Sequence, residues 1–132
     1  MTERLRIRQI KETCIYSQDL EAVKRFYGEV LGLEIIGYLP GRHVFFRAGS
    51  SVLLCFNPDD SRNKKSPPGH HAEGPYHFAF EVNPADYEDH KAFIQQKSIA
   101  ITDEVTWENG LRSFYFNDPA GNVVEIVPEG IW

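Results

Sequence analysis

The chain contains one pattern twice. IKETCIY, SQDLEAVKRFYGEVLGLEII, HVFFRAG and SVLLCFN form a first half, and YHFAFEV, NPADYEDHKAFIQQK, IAITDEV, LRSFYFN and NVVEIVP form a second in the same order. Each half reads as strand, helix, then further strands. In the first helix Leu20, Val23, Tyr27 and Val30 recur at three- and four-residue steps, with Ser17 or Asp19 before them as a cap and Gly32 as a stop. The second starts with Asn83 as its cap and Pro84 at the first helical position, where the missing N–H costs nothing. Gly32 follows Glu12 by twenty residues, and Lys97 follows His77 by the same twenty. Superposing SVLLCF on NVVEIV sets Leu54 opposite Glu125.

This duplication predicts an α+β fold of two βαβββ modules, forming a curved, cup-like mixed sheet with helices on its outer face. Module one covers about residues 8–57 and module two about 75–128. Residues 58–74 between them, polar and rich in proline and glycine, read as a linker within one domain of 132 residues. Asp118-Pro119-Ala120-Gly121 is the expected turn before the last strand.

Composition narrows the function. A net charge of −5 argues against a nucleic-acid partner. The start is too charged for a signal sequence and no apolar run is long enough to span a membrane, so the expectation is a cytoplasmic protein. Cys14 and Cys55 lie in apolar strand-like segments and read as buried, reduced thiols.

Within this frame the odd polar residues of the strands stand out. Glu125 sits in NVVEIVP among Val123, Val124, Ile126 and Val127, where an unpaired carboxylate would cost several kcal/mol. Glu12 and His77 occupy the matching first strands. A pseudo-twofold would bring such positions to one axis, where two carboxylates repel unless a cation lies between them. One histidine with two glutamates makes a first shell for a divalent ion (zinc, nickel, iron, manganese or cobalt), with open positions left for catalysis. His70 and His71, in SPPGHHAEG, are expected on an exposed loop.

These segments carry a resemblance. SQDLEAVKRFYGEVLGLEII, YHFAFEV and above all GLRSFYFNDPAGNVVEIVP resemble the vicinal oxygen chelate superfamily, over about residues 8 to 128. That superfamily comprises glyoxalase I, bleomycin resistance proteins, fosfomycin resistance enzymes and extradiol dioxygenases. The resemblance implies that Glu12, His77 and Glu125 are metal ligands and that Tyr115 lies near the metal. Arg112, on the strand of Tyr115, is a candidate for binding an anionic substrate group. Two departures matter: the first-strand position is most often histidine in such families, and glyoxalase I has a carboxylate where this chain has Leu54.

The implied function is a divalent-metal-dependent enzyme acting on a small oxygen-chelating substrate, of lyase, isomerase or dioxygenase type. Glu125 or Glu12 could alternate between ligand and general base, with Tyr115 beside them. The alternative is a metal-free protein that sequesters a drug-like or aromatic ligand, as bleomycin resistance proteins do. Phe45, Phe46, Tyr76, Trp107 and Tyr115 would then line its cleft. The resemblance also implies a homodimer in which Glu12 of one subunit meets His77 and Glu125 of the other.

Overall fold

The computed structural model describes Arg4 and residues 6–65 and 68–132. Residues 1–3 and 5 of the charged start, and residues 66–67 of the expected linker, lie outside the described residues. Module one runs β1 (Glu12–Tyr16), α1 (Leu20–Lys24) continuing as a π-helical turn (Arg25–Val30), β2 (Ile35–Leu39), β3 (His43–Ala48) and β4 (Ser51–Phe56). A short α2 (Pro58–Ser61) opens the linker. Module two runs β5 (His77–Val82), a 3-10 turn (Pro84–Asp86), α3 (Tyr87–Gln96), β6 (Asp103–Thr106), β7 (Arg112–Asn117) and β8 (Val123–Pro128). Each module forms a four-stranded mixed sheet, in the orders β1-β4-β3-β2 and β5-β8-β7-β6. The first strand of each pairs in parallel with the last, and the other pairings are antiparallel. These are the two βαβββ modules expected from the duplication.

Local chemistry accounts for the elements. Of the two candidate caps, Asp19 takes the role: its carboxylate accepts from Ala22 N–H at 3.1 Å, and Ser17 Oγ accepts from Asp19 N–H. Gly32, at φ +82°, ends the helix in the left-handed region. β2 is the strand that alternation does not reveal. Gly37 interrupts it, and its register with β3 shifts between Ile35 and Gly37, so the sequence there reads as a tail of the helix.

Each sheet has two unlike faces. In module one Ile15, Leu53, Cys55, Val44 and Phe46 bury against the helix, and in module two Phe114, Phe116, Val124 and Ile126 do so. All nine belong to one apolar cluster, so the helix-bearing faces of both sheets share a core. Phe26 lies 6.2 Å from Phe116, and Tyr27 lies 6.5 Å from Phe78, ring centre to ring centre. It follows that the two opposite faces point away from one another.

A buried polar knot crosses this core. The Tyr27 hydroxyl donates to Asp118 at 2.7 Å. Asp118 also accepts from Ala120 N–H, Asn122 N–H and the Asn122 side-chain amide, while Asn122 Oδ1 accepts from Tyr76 N–H. The turn before β8 and the entry to β5 are thus tied to each other and to the helix of module one. Burial, and then the Asp118 charge, pushes the Tyr27 phenol far up, so it stays a donor.

Two outcomes follow from these contacts. Tyr27→Phe should lower stability by about 1–3 kcal/mol, because it leaves a buried carboxylate short of one donor. A urea midpoint equal to that of the parent would refute this. Glu104 of β6 is held below the usual carboxylate range, first by its hydrogen bond from Lys91 and then by that from Tyr87. A depressed carboxylate contributes stability above its unfolded pKa and loses it as pH falls through the folded one. Lys91→Met should therefore flatten the acid limb of a Tm-against-pH curve.

Candidate functional site

The open face of module two carries three of the residues that the sequence singled out, His77, Tyr115 and Glu125. Register places Ala79, Glu125, Tyr115 and Asp103 across the sheet on one level, with His77 and Val123 on the next. Strand alternation turns Glu125 away from the core, yet it is only 6% exposed, hemmed in by its neighbours. His77 Nε2 lies 3.1 Å from Glu125 Oε1, and His77 Nδ1 lies 3.0 Å from the carbonyl oxygen of Val123.

That pair of contacts narrows the chemistry to two states. A carbonyl accepts only from an N–H, so Nδ1 carries a proton. Nε2 then either bears a second proton and pairs with Glu125 as imidazolium, or it aims a lone pair at a carboxylate oxygen. In the second case the two acceptors repel unless a cation lies between them. Two donors each about 2.1 Å from one ion, at right angles, stand about 3 Å apart, which the observed separation matches. A neutral imidazole with its far nitrogen anchored to a backbone carbonyl is also the common arrangement of a metal-ligating histidine. The donor set therefore fits a divalent ion of the zinc-to-manganese range.

Tyr115 flanks the pair, with its ring centre 6.0 Å from that of His77. Burial chiefly raises its phenol; the hydrogen bond with Ser113 opposes this, and that with Glu125 adds to it. Tyr115 accordingly keeps its proton as a donor beside a carboxylate.

Glu12 is not brought to this pair within the chain. It lies exposed on β1, in the other sheet, level with Val52 and Arg47 on an open face that points the other way. Among the described residues, no three His, Cys, Asp or Glu side chains are grouped to hold a metal ion. Cys14 and Leu54 share the next level of that face with Phe45. Burial and then the Glu12 charge raise the Cys14 thiol, which disfavours thiolate chemistry. Both cysteines are free; Cys55 is in the core, where burial pushes it up to about 12.

Arg112 is placed elsewhere. Three residues from Tyr115 is an odd step along a strand, so its side chain emerges on the helix face. There it pairs with Glu88 of α3 and Glu104, with its guanidinium 5.4 Å above the Tyr87 ring. Phe46 is likewise in the core and lines no cleft. Arg47, which the sequence reading passed over, stands on the level of Glu12. Its parity with Phe45 on β3 is the signal that could have found it. Among the described residues, no helix is long and apolar enough to cross a membrane.

Comparison with known proteins agrees with this architecture. The family model for the Glyoxalase/Bleomycin resistance protein/Dioxygenase superfamily matches residues 9–126. The lactoylglutathione lyase of Agrobacterium tumefaciens is 38% identical in sequence, with a TM-score of 0.88 over 94% of this chain and 96% of that one. A glyoxalase/dioxygenase from Nostoc punctiforme is 26% identical, with a TM-score of 0.67 over 92% and 90% of the two chains. A glyoxalase/bleomycin resistance protein/dioxygenase from Nocardioides, at 21% identity and TM-score 0.75 over 97% and 89%, shares the fold. No curated protein matches.

Glu125→Gln removes the charge that Tyr115 faces while leaving its burial unchanged. In chelator-treated protein the Tyr115 phenol should then titrate at lower pH than in the parent, read by tyrosinate absorbance. An unchanged titration would mean that the two groups do not interact.

Proposed function

This chain belongs to the Glyoxalase/Bleomycin resistance protein/Dioxygenase superfamily, and we propose from there that it is a divalent-metal-dependent enzyme acting on a small, oxygen-chelating substrate. The observation that carries this reading is the opposition of His77 Nε2 and Glu125 Oε1, two donors whose spacing suits a shared cation. Bound there, such an ion would supply Lewis-acid stabilisation of negative charge on neighbouring substrate oxygens.

The chain's own residues would do the rest. The Val123 carbonyl holds His77 in one tautomer and one orientation. Glu125, shielded by Tyr115 and the flanking valines, is the carboxylate placed to take up or release a substrate proton. Tyr115 offers its hydroxyl proton to an oxygen on which charge develops. Leu54, level with Cys14 and Phe45, supplies no oxygen, so this site has at most three protein ligands. The relative named lactoylglutathione lyase supports lyase-type chemistry on a small substrate.

The third ligand is Glu12 of a second copy. Two features support a shared site: Glu12 and Glu125 lie on faces that point apart within the chain, and β1 and β5 are both sheet edges with one side unpaired. Long edges are normally covered. Joining β1 of one copy beside β5 of another would set the open faces side by side as a single cup. Two free thiols and the absence of a spanning helix among the described residues are consistent with a reducing, cytoplasmic setting.

Elemental analysis of untagged protein should find a divalent transition metal, and its removal by chelator should lower Tm. At a hundredfold excess over Kd, binding contributes about 2.7 kcal/mol. Protein without metal that binds planar ligands regardless of chelator would instead be a sequestering protein. A mixing experiment tests the shared site. Glu12→Ala and Glu125→Ala should each abolish metal uptake. Equal mixtures, refolded together, should regain about a quarter of it, because half the dimers then contain one intact site of two. No recovery would sink the two-subunit site.

A further inference from the structure

Past α2, one residue of the segment between the modules is seated on the open face of module one: His70. The Tyr16 hydroxyl meets His70 Nδ1 at 2.8 Å. The His70 ring stands edge-on to Phe56 at 4.4 Å and to Tyr16 at 5.7 Å. Ser61 at the end of α2 donates to the His70 carbonyl. Gly69 makes the fold possible: a Cβ there would come within 2.7 Å of the Arg62 carbonyl oxygen and 2.8 Å of the Lys64 one. Any side chain at 69 would push the strap, and His70 with it, off its seat. His71, next along, is exposed and makes no such contacts among the described residues.

The open face of module one is graded along its strands. Glu12, Val52 and Arg47 form the level nearest the proposed reaction site. Cys14, Leu54 and Phe45 make an apolar second level. Tyr16, Phe56 and His43 form the third, where His43 stacks on Phe45 at 4.0 Å and 7°. Two residues of strand advance about 6.8 Å, so the third level is about 13 Å from the first. Taking the Tyr16 phenol as the donor to Nδ1 assigns the ring proton of His70 to Nε2. That nitrogen has no protein partner among the described residues, so it is a donor without an acceptor at the end of an apolar track.

We propose that this track is a substrate subsite for a flat, apolar body bearing a carboxylate or similar acceptor at its far end, and that His70 reads that end. The proposal rests on the reading that the reacting oxygens sit at the Glu12 level. It makes the inter-module strap a specificity element: the sheet accommodates the body, and a residue outside both modules selects its terminus.

The test uses the purified protein after chelator treatment, titrated calorimetrically with naphthalene-2-carboxylate and, separately, naphthalene-2-carboxamide. The parent should bind the carboxylate more tightly. His70→Ala should weaken the carboxylate at least tenfold and the amide less than threefold, and Gly69→Ala should do the same with the imidazole still present. His71→Ala should change neither. Should His70→Ala fail to fold, His70→Phe gives the same reading, since a phenyl ring fills the seat between Tyr16 and Phe56 but carries no donor. Equal carboxylate affinity in parent and variant, equal losses for both probes, or no binding by the parent would each overturn the proposal. Metal content, measured on the same variants, should stay at the parental level. A protein devoid of metal would defeat the enzyme reading while leaving the naphthalene result to be judged separately.

Discussion

The carboxylate of Asp118 organises this molecule. Buried, it would be costly unless every oxygen were satisfied, and four donors converge on it from three places: its own turn, the start of β8 and the helix of module one. Tyr27 reaches it from ninety-one residues away, which makes one hydrogen bond a statement about how the two modules sit. Asn122 passes the constraint on to Tyr76, and so to the residue preceding His77. The next carbonyl along, that of Val123, orients the His77 ring. A structural knot and the candidate metal ligands are therefore neighbours in one chain of contacts.

This arrangement gives a physical reason for the proposed two-copy site. The modules spend their apolar faces on a common core, with Phe26, Tyr27, Phe78 and Phe116 between them. Their open faces, with Glu12 on one and Glu125 on the other, are left turned apart. Nothing short of unmaking that core would bring them together in one chain. A second copy can supply the missing half without disturbing any buried contact, by abutting two strands that already lie at sheet edges.

The sequence showed a good deal of this where periodicity carried it. The two helices, the repeated order of elements and the tension at Glu125 all follow from spacing and alternation. β2 escaped because Gly37 and a bulge erase its alternation. Arg112 was placed at the site on strand membership alone, although its odd distance from Tyr115 already put it on the opposite face, where Glu88 and Glu104 hold it. His70 was read as an exposed loop residue for its company of prolines and glycines. Its seat depends on Tyr16 and Phe56, neither of which is near it in sequence, and on the close approach at Gly69.

What the amino-acid order decided by itself is local: which residues form strands and helices, which side of each faces oil, and that a carboxylate stands in an apolar strand twice matched by polar partners. Those follow from side-chain period and backbone preference, which act over a few residues. Tertiary structure decided the rest: that His77 and Glu125 touch while Glu12 faces elsewhere, and that His70 is seated on one open face. Such pairings depend on how two finished modules pack, and packing is set by the summed fit of distant surfaces, which no local pattern records.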